Sequence, residues 1–220
     1  MPLTLYYHPL ASYCHKVLIA LYEHGVAFEA RIVDLGAEKD RAELTALWPF
    51  CKFPVIRDHE RQRNVAESSI VIEYLDHFFA GPQRLIPADF NEALQVRLWD
   101  RVFDNYVHEP MQSIVLDHFR GGKQDMGAAR ATMQTAYAML DKHLASSVWA
   151  AGEKFSLADR AAAPALFYAH TLESFPEQHM HLHAYFEKLM ARPSVQRVLT
   201  EAKPYFHMYP FNSAIPARFR

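Results

Sequence analysis

The chain has 220 residues, half of them hydrophobic, and a formal net charge of −2. That length suits one large domain or two small ones, and the nearly neutral charge gives no indication of a nucleic acid or anionic membrane partner. Two cysteines, Cys14 and Cys51, are too few for a disulfide framework and favour a reducing compartment. Residues 1–4 do not begin a signal peptide, and no apolar run approaches the roughly 20 residues of a membrane helix. We therefore predict a cytoplasmic protein.

The first 80 residues alternate short apolar strands with helices. Turn and breaker residues separate strand patterns at 3–8, 28–33, 54–57 and 61–65 from helix patterns at 12–24, 38–47 and 67–79. A helix between consecutive strands implies parallel pairing, whereas the short polar turn at 58–60 implies an antiparallel hairpin. The order β-α-β-α-β-β-α predicts an α/β domain over 1–80, with a small mixed sheet and helices packed on it.

The rest of the chain has helical periodicity. A linker rich in proline covers 81–89, and an all-α domain follows over 90–220. Ser156 and Asp159 have the spacing of a helix capping box, with Asp in place of the usual Glu. The segment from Pro204 to the end is expected to pack as an extended tail. Helices are predicted near 90–119, 125–146, 156–172, 179–191 and 194–202.

Phe53-Pro54 and the start of the following helix suggest a binding site. A cis bond before proline lies only about 0.5–1 kcal/mol above trans, and it would turn the Phe53 backbone outward to pair with an extended peptide. Ser68 and the free amides of the helix after it would accept a carboxylate. These features predict a site for a small acidic peptide. The alternative is that Pro54 is trans and only begins an edge strand.

In this order and spacing, three segments resemble the cytosolic glutathione transferases of the bacterial type. The segments are Phe53-Pro54-Val55-Ile56, the run from Glu67 to Leu75, and Phe155-Ser156-Leu157-Ala158-Asp159. The resemblance implies a thioredoxin-like N-terminal domain, an all-helical C-terminal domain and a homodimer. It also implies glutathione as co-substrate, a small hydrophobic electrophile as second substrate, and a role in detoxification.

The same resemblance assigns roles at the binding site. Phe53, before Pro54, corresponds to the residue whose backbone pairs with the cysteinyl unit of glutathione. Ser68 would bind the γ-glutamyl carboxylate and Glu67 the ammonium, while Lys52 resembles the basic residue near the glycyl carboxylate. For Glu67 and Ser68 the alternative is ordinary helix capping.

Transfer chemistry needs a group that stabilises the glutathione thiolate, since a free thiol with a pKa near 8.5 is mostly protonated at pH 7. Each unit of downward shift needs about 1.4 kcal/mol, which a helix N-terminus and one hydroxyl could supply. Ser12, at the start of the first helix, is the first candidate; its alternative role is a helix cap. Tyr7 is the second candidate, because it lies two residues before Pro9 as in tyrosine-using classes; its alternative role is core packing.

The match to serine- and cysteine-using classes is uneven. Their thiol-binding residue usually lies three before the position of Cys14, where this chain has Ala11, which has no donor. Cys14 itself is interpreted as a small buried hydrophobe. Two alternatives to a transferase stay open: a glutathione-binding module without catalysis, and a glutathione-dependent isomerase. The alternating histidines 179, 181 and 183 are interpreted as a chance cluster, and no metal is expected.

Overall fold

The computed structural model describes residues 2–79, 81 and 83–220. The chain divides into two compact units, Met1–Ile86 and Pro87–Arg220, called here the N-terminal unit and the helical unit. The predicted linker over 81–89 contains this boundary, and its Pro82 lies outside the described residues. Within the described residues, no helix is both long enough and apolar enough to cross a membrane.

The N-terminal unit is built on a four-stranded sheet. The strand order is β2-β1-β3-β4, with β1 parallel to β2, antiparallel to β3, and β3 antiparallel to β4. This arrangement confirms the predicted mixed sheet, including the hairpin. The elements are β1 (Leu3–Tyr7), α1 (Ser12–His24), β2 (Glu29–Ile32), α2 (Glu38–Leu47), β3 (Val55–Asp58), β4 (Arg63–Ala66) and α3 (Ser68–Phe78).

Strand alternation assigns side chains to the two faces of this sheet. Val55 is fully buried in a cluster with Val33 and with Leu44 of α2, and Tyr6 packs against that cluster. Successive side chains of a strand point to opposite faces, so Tyr7 faces away from this cluster. The helices α1 and α3 pack against each other, and α3 also packs on β3 and β4.

The helical unit contains α4 (Phe90–Phe103), α5 (Glu109–Phe119), α6 (Gly127–Leu144), α7 (Leu157–Leu172), α8 (Met180–Met190) and α9 (Pro193–Ala202). A π-helical turn, Asp104–His108, joins α4 to α5, so the predicted segment 90–119 is helical but not one regular α-helix. The capping box predicted at Ser156 and Asp159 is confirmed at the start of α7.

The expected extended tail is wrong. Three short 3-10 helices, Lys203–Met208, Asn212–Ala214 and Ala217–Phe219, cover most of the last 18 residues. Pro204 lies in the first turn of the first of them, and Pro216 directly precedes the last. Proline fixes φ near −65° and is tolerated in a first helical turn, where its missing N–H breaks no bond, so these prolines suit short turns as well as an extended chain.

Candidate functional site

Several chain segments meet at one end of the strands, where β1 ends and β3 begins; this end of the sheet is here called the edge. Tyr6, near the end of β1, pairs with Val55 at the start of β3, and Val55 pairs with Ala66 at the end of β4. Helix α3 begins directly after β4, and α1 begins a few residues after β1. The register therefore brings the ends of these elements together, and with them the predicted site residues Tyr7, Ser12, Phe53, Pro54, Glu67 and Ser68.

The Phe53–Pro54 peptide bond is cis, as expected, so the alternative of a trans bond is wrong. Pro54 is buried, whereas Phe53 is half-buried and its ring stacks on His8 with the centroids 6.2 Å apart. No main-chain hydrogen bond to the N–H or C=O of Phe53 occurs within residues 2–79, 81 and 83–220. Main-chain polar groups require partners, so these two can pair with an extended ligand laid along the edge.

Glu67 and Ser68 form the turn from β4 into α3. Glu67 is exposed and has φ 66° and ψ 116°, a left-handed conformation that is uncommon for a residue with a side chain. Ser68 is buried, with 7% of its surface exposed. Neither the Glu67 carboxylate nor the Ser68 hydroxyl has a hydrogen-bonding partner among the described residues, and Glu67 makes no side-chain cap. The alternative of ordinary helix capping is therefore wrong.

Two buried side chains of α1 hold this edge together. The Lys16 ammonium is completely buried and donates to the Ser69 hydroxyl, in the first turn of α3, at 2.9 Å. The His15 ring nitrogen Nε2 lies 2.5 Å from the Pro9 carbonyl oxygen. Lys16 thus joins α1 to the first turn of α3. Sequence reasoning missed it, although a lysine directly before the apolar run 17–21 was the available signal.

The two candidate thiol partners lie at the ends of their elements. Ser12 is the first residue of α1 and is half-buried, and Ala11 holds the N-cap position with φ −75° and ψ 113°. The helix-cap alternative for Ser12 is therefore wrong. Tyr7 is the last residue of β1 and is half-buried, so its ring is not enclosed in the core. Both residues make further contacts within their surroundings.

His8 was not singled out from the sequence, yet it lies at the same edge. The Leu10 N–H donates to its Nδ1 at 3.2 Å, so the neutral ring carries its proton on Nε2. Burial lowers the pKa of His8, against a smaller opposing effect of the Asp34 carboxylate, and the ring is therefore neutral at pH 7. Because the bond from Leu10 fixes the ring proton on Nε2, the neutral His8 imidazole donates hydrogen bonds from Nε2.

The remaining residues near this edge differ in exposure. Lys52 is exposed and follows Cys51, which has a positive φ of 51°. Cys14 is fully buried, and burial raises the pKa of its thiol, which confirms its interpretation as a small hydrophobe. Both cysteines are free. In the described part of the chain, no group of three or more His, Cys, Asp or Glu side chains is arranged to hold a metal ion.

Comparison with known proteins bears on both units. The family model of the glutathione S-transferase N-terminal domain matches residues 11–77, and that of the glutathione S-transferase C-terminal domain matches residues 102–193. The chain belongs to the glutathione S-transferase family. Its fold is accordingly the thioredoxin-like domain followed by an all-helical domain that the sequence predicts.

Two relatives match this chain over nearly their whole length. Glutathione S-transferase 3 of Zea mays is 29% identical over 211 residues, covering 90% of this chain and 93% of that protein. FtsZ-localized protein A of Caulobacter vibrioides is 28% identical over 218 residues, covering 91% and 92%. A glutathione S-transferase structure from Methylobacillus flagellatus with glutathione bound has a TM-score of 0.79 and 25% identity, and the match covers 89% of this chain and 98% of that one.

Proposed function

We propose that this glutathione S-transferase binds glutathione at the edge formed by β1, β3 and α3 and activates its thiol toward a small hydrophobic electrophile. The observation that carries the proposal is the set of unpartnered groups at Phe53, Glu67 and Ser68 on that edge. A tripeptide with a zwitterionic end needs an anion for its ammonium, hydrogen-bond donors for its carboxylate and a main-chain partner for its extended backbone. Glu67, Ser68 and Phe53 respectively offer these groups.

Each part of glutathione has a proposed partner. The Phe53 N–H and C=O pair with the cysteinyl unit, as an added strand pairs with an edge. The Ser68 hydroxyl and the first N–H groups of α3 receive the γ-glutamyl carboxylate. Glu67 binds the ammonium. The exposed Lys52, directly before Phe53, is the proposed partner of the glycyl carboxylate.

Ser12 is the proposed partner of the thiol, with Tyr7 as the competing assignment. Ser12 opens α1, where the positive end of the helix dipole adds to the effect of its hydroxyl on a thiolate. A hydroxyl that hydrogen-bonds the anion more strongly than the neutral thiol lowers the thiol's pKa. Ala11 cannot take this role, because it has no donor.

The ultraviolet absorbance of bound thiolate, titrated against pH, tests this assignment. Ser12→Ala should raise the pKa of bound glutathione and lower turnover of a generic aryl halide near pH 7, with little change in glutathione affinity. Tyr7→Phe should change the pKa far less and is the matched control. If Tyr7→Phe abolishes the thiolate signal and Ser12→Ala does not, the assignment to Ser12 is wrong.

A glutathione-binding module without catalysis is the second proposal, and Ala11 motivates it. One relative is named for its localisation to FtsZ and not for a transferase reaction. Calorimetry that shows glutathione binding, together with no activity toward any of several aryl halides, would favour this module. A glutathione-dependent isomerase would instead be found by screening enoyl and dicarbonyl metabolites.

We further propose a cytoplasmic homodimer. Phe50 is 72% exposed beside the ring of Trp48, and α4 exposes Phe90, Leu94 and Leu98 at spacings of four residues on one face. Large exposed apolar side chains of this kind mark protein interfaces. The two free cysteines suit a reducing compartment.

Light scattering should report twice the chain mass of 25.4 kDa. A monomer mass at micromolar concentration would contradict the dimer, and Phe50→Ala should weaken it.

A further inference from the structure

His8 lies in the turn that leads from β1 to α1 and bonds to two successive N–H groups of that turn. Its carbonyl oxygen accepts the Ala11 N–H at 3.0 Å, and its ring nitrogen Nδ1 accepts the Leu10 N–H at 3.2 Å. The turn carries the chain from Tyr7 to Ser12, the two candidate partners of the thiol. The conformation of the turn therefore depends on one bond of the His8 main chain and one of its side chain.

The same ring also contacts Phe53, in the segment before β3. The two rings are stacked, with their centroids 6.2 Å apart and their planes inclined by 21°. Rings at this separation prefer an offset stack, which favours one placement of each ring relative to the other. His8 thus links the turn before α1 to the residue whose main chain is the proposed partner of the cysteinyl unit.

The bond from the Leu10 N–H exists only while the His8 ring is neutral. In the neutral ring Nδ1 accepts this bond and Nε2 carries the proton, whereas the imidazolium carries a proton on both nitrogens. A protonated Nδ1 would face the Leu10 N–H as a second donor, so the bond would be lost. Burial lowers the pKa of His8 below its ordinary value of 6.5, and the Asp34 carboxylate opposes this effect more weakly. The bond is therefore present at neutral pH and lost in acid.

Other titratable side chains lie on the elements around the His8 ring. They are Tyr7 of β1, Cys14 and His15 of α1, Asp34 after β2, and Lys52 beside Phe53. Burial raises the pKa of Cys14, so its thiol stays uncharged. His15 also contacts the turn, but its Nε2 lies 2.5 Å from the Pro9 carbonyl oxygen, which is an acceptor, so protonation of His15 would keep that bond. His8 is therefore the residue through which acid would act on the turn.

We propose that His8 is a positioning residue of the glutathione site, whose neutral ring holds the turn at Leu10 and the ring of Phe53 in the arrangement that receives the tripeptide. Protonation of His8 breaks the bond from Leu10 and weakens glutathione binding. This role rests on the proposed function, since glutathione is the ligand that it concerns. The loss of one hydrogen bond of this kind corresponds to a loss of affinity of about three- to tenfold.

Calorimetric titration with S-methylglutathione between pH 8 and pH 5 tests the proposal, because the sulfur of this analogue has no proton to lose. The parent should bind it about three- to tenfold more weakly once His8 is protonated. In His8→Asn the affinity should not change with pH, since an asparagine carbonyl accepts the N–H two residues further on and does not titrate. His8→Phe keeps a ring against Phe53 without an acceptor, so at every pH it should bind as weakly as the protonated parent. His77→Gln, at an exposed histidine of α3, is the matched control and should keep the acid dependence of the parent.

The proton signal of the His8 ring, assigned by its absence in His8→Asn, gives a second measurement on the parent. Because binding and protonation are linked, S-methylglutathione should lower the pH at which this ring titrates by the logarithm of the same factor, about 0.5 to 1. Thermal unfolding at both pH values checks that each variant is folded.

Two results would overturn the positioning role while leaving glutathione binding intact. One is an equal acid dependence of binding in the parent and in His8→Asn, and the other is a His8 titration that S-methylglutathione leaves unmoved. If millimolar S-methylglutathione does not bind to the parent at any of these pH values, the proposed function is wrong and the positioning role is wrong with it.

Discussion

The buried carboxylate of Asp159 joins three parts of the helical unit, and its removal should be strongly destabilising. Its Oδ1 accepts the Ala150 N–H at 2.9 Å and the Tyr185 hydroxyl of α8 at 2.7 Å. Its Oδ2 accepts the N–H and the hydroxyl of Ser156 at 2.8 and 3.1 Å. The residue has 0% of its surface exposed, so water does not replace these bonds when the carboxylate is lost.

The size of the loss follows from the donors that Asp159→Ala would leave behind. The N–H groups of Ala150 and Ser156 and the Tyr185 hydroxyl would be buried without an acceptor, each at about 1–3 kcal/mol. These terms do not add fully, because the site relaxes, so the loss should lie in the lower part of their sum, at about 3–5 kcal/mol. We expect that range for Asp159→Ala. Tyr185→Phe removes one donor of four and should cost about 1–2 kcal/mol.

Urea unfolding monitored by far-ultraviolet circular dichroism measures these differences. Glu177→Ala is the matched control, because Glu177 is an exposed acidic residue of the same unit with no partner among the residues described, and it should change the unfolding free energy by less than about 0.5 kcal/mol. A loss below about 1 kcal/mol for Asp159→Ala, with the slope of the urea dependence unchanged, would refute the argument from unsatisfied donors.

Three further predictions concern single side chains. Ser68→Ala should weaken glutathione binding by about 1–3 kcal/mol, and unchanged affinity in calorimetry would remove Ser68 from the site. Asp141 of α6 accepts the N–H groups of His181 and Leu182 at 2.9 and 3.0 Å, and these bonds outweigh burial and lower its pKa. The stabilisation that the Asp141 carboxylate provides is therefore present above its unfolded pKa, near 4, and is lost as the pH falls through the lower folded pKa. In Asp141→Asn the unfolding free energy should fall less steeply as the pH is lowered. An acid dependence equal to that of the parent would contradict this. Glu67→Gly should leave the unfolding free energy unchanged or raise it by up to about 1 kcal/mol while glutathione binding weakens, and a clear loss of stability would argue against strain at this residue.

The elements of the N-terminal unit could be predicted because local signals and long-range packing agree there. The sequence predicts a third strand from Pro54, and the strand begins at Val55. It also predicts that the first helix ends before Gly25, and Gly25 adopts the left-handed conformation at the C-cap. Proline and glycine act through their own backbone restrictions, so their effect can be predicted without knowing the neighbours. The capping box at Ser156 could be predicted for the same reason.

The contacts that sequence reasoning missed join residues far apart in the chain. Asp141 caps α8 from another helix, 40 residues before His181, and Lys16 reaches Ser69 across 53 residues. Neither pairing has a local pattern, because each depends on how two helices pack. The helix-cap alternatives at Ser12 and Glu67 are wrong for a local reason, since neither side chain forms the cap bond. Serine at a helix start is typical of a cap, but Ala11 occupies that position instead.

The conformation of Glu67 explains how the candidate site keeps its binding groups in place before a ligand arrives. A left-handed residue with a side chain is strained by about 1–3 kcal/mol and persists only where its neighbours fix both ends. Here the Ala66–Val55 pairing fixes the end of β4, and the bond from Lys16 to Ser69 fixes the first turn of α3. Because both ends are held, the main-chain groups of Glu67 and Ser68 are fixed between β4 and α3. Less free energy is then lost in ordering these main-chain groups if a ligand binds here, which is the advantage of a preorganised site.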